Sequence, residues 1–185
     1  MIGALPKALT VGGKSYAIRS DYRVALTIFQ AYNDPDLTPA QKSFVCLHSL
    51  FAEVPQNTAA ALERAVWFLD GGDKIKHKPL PVKIIDWEQD EGLLFPEINK
   101  AAGTETRLLD YLHWWTFLGY FAVMGDGLYA QVLHIRQKRA AGKRLEKWER
   151  EFYYSHKEII DIRERLSAAE QAELDREQAY IDSLC

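Results

Sequence analysis

The stretch HWWTFLGYFAVMGDG, residues 113–127, constrains this chain more than any other. It holds two adjacent tryptophans, two phenylalanines and a tyrosine, and it is apolar on nearly every side. A helix of that kind has to be buried, in a membrane or in protein. A membrane-spanning helix needs about 20 predominantly apolar residues. The run from Tyr111 to Gly125 is shorter, contains His113 and Thr116, and is closed by Asp110 and Asp126. An interfacial helix would carry a face rich in Lys and Arg, and this segment has none. It belongs inside protein, and other elements must cover it. Neighbouring helical residues point about 100° apart, so Trp114 and Trp115 can face different surroundings. The core is preferred, because large aromatics are mostly buried; a partner-facing Trp114 stays open.

The covering elements are legible in the pattern. LTVGGKSYAI alternates Leu9, Val11, Tyr16 and Ile18 around Gly12-Gly13. That predicts a β-hairpin from about Leu9 to Arg19, its turn made by glycines that accept positive φ. A lone hairpin is marginal, so it must pack on helices or pair its edge with another subunit. Helical signals follow. One helix opens on Ser20 or Asp21 and repeats Tyr22, Leu26, Phe29 and Tyr32. A second starts at Thr38 with Pro39 and Gln41, a capping box, and its expected buried stripe is Phe44, Leu47, Leu50 and Phe51. A third runs from about Thr58 to Leu69, burying Leu62, Val66 and Leu69, and ends at Gly71-Gly72.

Residues 71–83, GGDKIKHKPLPVK, are basic, hold two prolines and lack a helical period, which marks a linker. The helix that follows is headed by Asp86, Glu88, Asp90 and Glu91, acids that suit the positive end of a helix dipole. Pro96 should kink or restart it, and Gly103 should end it. The aromatic helix is expected from about Thr106 to Met124, followed by two helices broken near Gly142. In the second, Leu145, Trp148, Phe152, Ser155, Ile159, Ile162 and Leu166 alternate in steps of three and four, the seam of a coiled coil or bundle. Ser167 to Glu170 is another capping box, opening a last acidic helix. The fold class is mainly α: a bundle of about six to eight helices with a short N-terminal hairpin. It forms one domain, 1–185, with sub-units 1–70 and 84–185 joined by the linker. The seam and the hairpin edge both gain from pairing, so a homo-oligomer is expected.

Chemical motifs are sparse. The acids at 86–91 could hold a divalent metal, but no histidine or glycine-rich turn stands at ligand spacing, and dipole partners are preferred. His113, His134 and His156 fall on different helices, with no zinc-type pairing. Cys46 sits in an apolar stretch and reads as a core thiol; Cys185 is far from it, and a reducing compartment is the default. There is no phosphate loop, dinucleotide fingerprint or nucleophile elbow. The expectation is a protein that is not an enzyme and takes no cofactor or metal. The N-terminus lacks a basic region followed by an apolar core, so it is not a signal peptide.

One charge feature stands out: Arg136, Lys138, Arg139, Lys143, Arg144, Lys147 and Arg150, with Trp148 among them. Clustered cations can release counterions from phosphates, can meet an acidic partner, or can simply be solvated. A net charge of −3 argues against nucleic acid. The candidate partner-binding residues are Trp114, Arg136, Lys138, Arg139, Lys143, Arg144, Lys147 and Trp148.

Taken together, LTVGGKSYAIRSDYRVAL, IDWEQDEGLLFPEINKAAG, LHWWTFLGYFAVMGDG and HIRQKRAAGKRLEKWEREFY resemble the bacteriophage family named after gene product fifteen. The family pattern runs from a hairpin into Y-x-I-x-[ST]-D-[FY]-R, then an acidic D-[FW]-E-x-D, then L-H-W-W-x-F, then a basic helix. All four occur here in order across about residues 5–165. Pro96 and the acidic tail after Leu166 depart from that pattern. The resemblance implies a tail-region protein of long-tailed phages and prophages. It implies a non-catalytic tail-assembly chaperone that binds the tape-measure protein during tail morphogenesis and meets other tail-assembly proteins. Such a protein works in the host cytoplasm and is absent from the mature virion. A structural tail component of the virion, or a nucleic-acid-binding phage protein using the 136–150 cluster, are the alternatives.

Overall fold

The computed structural model describes residues 3–72 and 83–182, so most of the expected linker lies outside the described residues. The fold is mainly helical, with a short antiparallel hairpin at the N-terminus. Strand β1 (Ala8–Val11) pairs with β2 (Lys14–Ala17), Leu9 opposite Tyr16 and Val11 opposite Lys14. Gly12 and Gly13 take φ of 57° and 82°, the two positive values a type I′ turn requires. Alternation puts Leu9 and Val11 into the core. The chain closes part of its own edge: the Arg19 N–H donates to the Leu50 carbonyl at 2.7 Å, and the Ala52 N–H to Ala17 at 3.0 Å.

Helices α1 (Tyr22–Asn33), α2 (Pro39–Leu50) and α3 (Thr58–Leu69) start at Asp21, Thr38 and Asn57. The capping box of Thr38 and Gln41 forms as its sequence demands. Two expected core residues do not enter the core. Phe44 is 60% exposed and stacks on His48 one turn along, and Val66 is also exposed. Cys46, Leu47 and Leu50 face inward on α2, and Ala61, Ala65, Phe68 and Leu69 on α3. Side-chain hydrophobicity ranks Phe and Val above Ala, but where helices approach closely the contact face takes the small side chain.

Helix α4 (Glu91–Ala102) runs unbroken through Pro96 and ends at Gly103 in the left-handed region. The proline is on the exposed face, and Gly92 is the residue four back whose carbonyl goes without its N–H. The aromatic segment forms less helix than its composition suggests. A 3₁₀ turn at Thr106–Leu108 leads into extended chain, and α5 spans only Trp114–Ala122. The cause is pairing with the start of α1. The Tyr22 N–H donates to the Leu112 carbonyl at 2.9 Å, the Trp114 N–H to Ser20 at 2.8 Å, and the Leu112 N–H to Asp21 Oδ2 at 2.9 Å. His113 then caps α5: its Nδ1 accepts from the Trp115 N–H at 3.0 Å, leaving Nε2–H to donate to the Pro6 carbonyl at 3.0 Å.

The C-terminal part holds α6 (Leu128–Ala140), α7 (Lys147–Ser155), the single-turn α8 (Lys157–Ile160) and α9 (Ala168–Asp182). The expected continuous seam from Leu145 to Leu166 does not form. The helix stops at His156, and residues 161–167 are not helical. Ile160 is buried, whereas Trp148 and Leu166 are exposed. Bonds to other elements displace helical ones here: the Arg163 N–H donates to Gln89 Oε1 at 2.9 Å, and Gln89 Nε2 donates to the Asp161 carbonyl at 2.9 Å.

Both tryptophans of the opening stretch serve this chain. Trp114 is 1% exposed and lies among Phe29, Trp87 and Phe117, with ring centroids 5.7–6.0 Å away. Its Nε1–H donates to the Leu69 carbonyl at 2.9 Å, and that of the partly buried Trp115 to Phe68 at 2.8 Å. The Trp114 indole thus satisfies a carbonyl at the end of α3 that the helix itself cannot, while the Phe68 carbonyl also accepts from the Gly71 N–H at 3.1 Å. Gly72 passes so close that a Cβ there would stand 2.5 Å from the Trp115 ring. Among the described residues, no helix is long and apolar enough to cross a membrane.

Candidate partner-binding surface

The basic cluster divides into two sets with different tasks, and an acidic turn decides which is which. Asp86 folds the chain before α4 by accepting the N–H groups of Glu88 and Gln89, each at 3.0 Å. Lys83 and Arg165 approach its carboxylate at 2.7 and 3.0 Å. Asp90, one turn on, accepts from the Tyr129 hydroxyl at 3.0 Å and from the Asp86 N–H at 3.0 Å. Arg136 then closes on Asp90 with two nitrogens, at 2.6 and 2.8 Å. Its remaining N–H groups go to the carbonyls of Ile84, Ile159 and Ile160 at 3.0, 2.8 and 2.7 Å. A guanidinium has five N–H donors, and here all five are used inside the molecule. Burial, reinforced by the Asp90 carboxylate, pushes the Tyr129 phenol well above its ordinary range.

Asp86 makes the fold sensitive to acid. Burial opposes its ionisation, but the Lys83 ammonium and the N–H groups of Gln89 and Glu88 outweigh this and hold the carboxyl down at about 2. A carboxyl whose pKa is lower folded than unfolded stabilises the fold above its unfolded pKa, and that stability is lost as pH falls toward the folded value. The expected result is a loss on the order of 2 kcal/mol from this group between about pH 4 and pH 2. Urea unfolding across that range checks it. Asp86→Asn keeps the turn acceptor and removes the charge, so it should flatten the fall; parallel curves for parent and variant would exclude the role.

Lys138 and Arg139 are also engaged within the chain. Lys138 pairs with Glu149, which is buried and also takes His134 Nε2 at 2.9 Å and the Glu146 N–H at 2.6 Å. The Lys138 ammonium, aided by these donors and opposed by desolvation, holds the Glu149 carboxyl down at about 2. Arg139 pairs with Asp161 and lies over the Tyr153 ring. Lys143, Arg144, Lys147 and Arg150 are the second set. They are exposed on the turn between α6 and α7 and the first turns of α7, and form no ion pair with a described residue. Trp148, 50% exposed, stands among them and donates to Glu146 Oε2 at 3.2 Å.

The structure therefore corrects the candidate set. Trp114 and Arg136 are interior, so neither offers surface to a partner, and Lys138 and Arg139 join α6 to α7 and to the segment after α8. Arg139 is exposed but paired; the exposed cations with no ion pair to a described residue are Lys143, Arg144, Lys147 and Arg150, with the exposed Trp148 among them. Among the acids at 86–91, Asp86 and Asp90 are buried and pair with Arg165 and Arg136, whereas Glu88 and Glu91 stay exposed, Glu91 in the first turn of α4. Sequence spacing could not pair Asp90 with Arg136, 46 residues away. The one local sign was Asp86 standing three residues before Gln89, the spacing of a side chain that caps its own turn. No group of three or more potential metal ligands is found among the described residues.

Comparison with known proteins places the chain in a sequence family. No curated protein and no solved structure matches the chain. The sequence model described as Bacteriophage Gp15 protein matches residues 1–162, which takes in the hairpin, the buried acidic turn, both tryptophans and the basic α6–α7 turn. The chain belongs to the Bacteriophage Gp15 protein family.

Proposed function

We propose that this phage protein is a non-catalytic tail-assembly chaperone that holds the tape-measure protein in the host cytoplasm and leaves before the virion is complete. Family membership supports a phage role. The observation that carries the finer reading is the α6–α7 turn, where four cations with no ion pair among the described residues surround an exposed tryptophan. Cations of this kind steer an acidic segment and fix its register, and a large aromatic supplies the apolar anchor. A long helical client presents such segments repeatedly along its length, which suits binding of a helix against a surface.

The test is co-expression of the tape-measure protein with the parent or with a variant carrying Lys143→Gln, Arg144→Gln and Lys147→Gln. The variant is expected to keep its helix content and to lose most of the parent's ability to keep the client soluble. Association should also become less salt-dependent. Equal client solubility with unchanged salt sensitivity would remove this surface from the reading. Retention of the parent, but not the variant, on duplex DNA would favour the nucleic-acid alternative instead. Recovery of the protein from purified virions would favour a structural tail component.

A further inference from the structure

Helix α9 is fifteen residues long, and none of them is buried. An isolated helix of about 12–15 residues is marginal in water. One that is exposed all round persists through local pairs or by bridging to another body. Its local pairs include Gln171 to Asp175 and Gln178 to Asp182, each at 2.8 Å, and the box in which Ser167 and Glu170 satisfy one another. Its first N–H, that of Ala168, donates to Asp36 Oδ1 at 3.0 Å, which fixes where the helix leaves the body. The helix also carries an unpartnered apolar line. Leu174 and Ile181 are 47% and 53% exposed. Two turns separate them, so they lie on one face about 10 Å apart. Glu170 and Glu177 border that line, with Glu173 beyond them.

The complementary surface is on the same chain. Lys143, Arg144, Lys147 and Arg150 are exposed and unpaired among the described residues, while Glu146 and Glu149 are drawn onto Lys138. Trp148 gives the patch an apolar centre. We propose that α9 of one copy docks on the α6–α7 turn of a second copy, its glutamates against the cations and Leu174 and Ile181 against Trp148. Reciprocal exchange of the two helices closes a two-fold dimer, because each copy supplies one helix and one patch. The contact places α9 on the patch assigned above to the client, so an acidic helix with apolar residues two turns apart is the kind of ligand that patch takes. It requires no client and is measured with this protein alone.

Sedimentation equilibrium of the full chain at about 50 micromolar, a concentration where contacts of modest affinity are populated, tests the proposal by exchanging charges. The parent is expected to be a dimer that dissociates as salt rises. Glu173→Lys with Glu177→Lys, or Lys143→Glu with Lys147→Glu, should each weaken dimerisation by about tenfold or more. All four changes together should return it to within about threefold of the parent, because the signs match again. That recovery also shows that neither pair of changes acts by unfolding the chain. A monomeric parent overturns the proposal, as does a dimer that ignores both exchanges or is weakened further by combining them. A monomeric parent that still keeps the tape-measure protein soluble would sink this contact and leave the chaperone reading standing.

Discussion

Arg136→Met is expected to lower folding stability by about 3–5 kcal/mol, the cost of removing one partner from a buried ion pair. Arg136 is 5% exposed and Asp90 1%. Methionine fills part of the volume but returns none of the five hydrogen bonds. Asp90 would keep only the Tyr129 hydroxyl and the Asp86 N–H against its buried charge. The carbonyls of Ile84, Ile159 and Ile160 would lose donors in places that water reaches poorly. A second change separates charge from packing. Asp90→Asn retains an acceptor for Tyr129 and removes the charge left unpaired. The double variant should therefore be more stable than the sum of the single losses predicts, by about 1 kcal/mol or more. Urea unfolding of the parent and three variants measures this. A loss below about 1 kcal/mol in Arg136→Met would mean that the pair is as weakly coupled as a surface one.

That network also marks the boundary of what was legible in the chain. Features written in local spacing came through. Gly12-Gly13 predicts the hairpin and its turn, and Thr38 with Gln41 predicts the start of α2. Gly103 predicts the end of α4, and Ser167 with Glu170 the box that opens α9. Each depends on bonds within a few residues, so the sequence carries both partners. Features decided by long-range bonds did not come through. The 19 residues from Thr106 to Met124 have the apolarity of one helix, yet a 3₁₀ turn takes Thr106–Leu108, and pairing with Ser20, Asp21 and Tyr22 keeps the chain extended up to His113. The Leu145–Leu166 seam has helical period, yet α7 stops at Ser155, and Gln89 and Arg136 take backbone groups of residues 159–163 that a continued helix would use. The basic cluster is contiguous in sequence, but one side of α6 faces Asp90 and Glu149 while the turn beyond it faces solvent. Only the fold separates staples from surface, and the surface half, Lys143 to Arg150, was within the predicted set apart from Arg150.

The paired tryptophans give the second large expected effect, and their difference is its content. Trp114→Ala should cost about 3–5 kcal/mol, the range for deleting a large buried aromatic and leaving a cavity. The ring touches Phe29, Trp87 and Phe117, which come from α1, the turn before α4 and α5, so its loss loosens three elements at once. Trp114→Phe keeps most of the apolar contact but leaves the Leu69 carbonyl without its 2.9 Å donor. That alone should cost about 1–3 kcal/mol, since a buried acceptor goes unsatisfied. Trp115→Phe removes a bond to a Phe68 carbonyl that keeps the Gly71 N–H as donor, in a partly buried site that water reaches, and should cost about 1 kcal/mol or less. Chemical denaturation should therefore rank the losses as Trp114→Ala, then Trp114→Phe, then Trp115→Phe. A partner-facing Trp114 would reverse that order: its replacement would leave stability nearly unchanged and would weaken binding instead. Equal losses for the two phenylalanine variants would mean that burial does not distinguish the two carbonyls at the end of α3, and that both indoles act only by filling space.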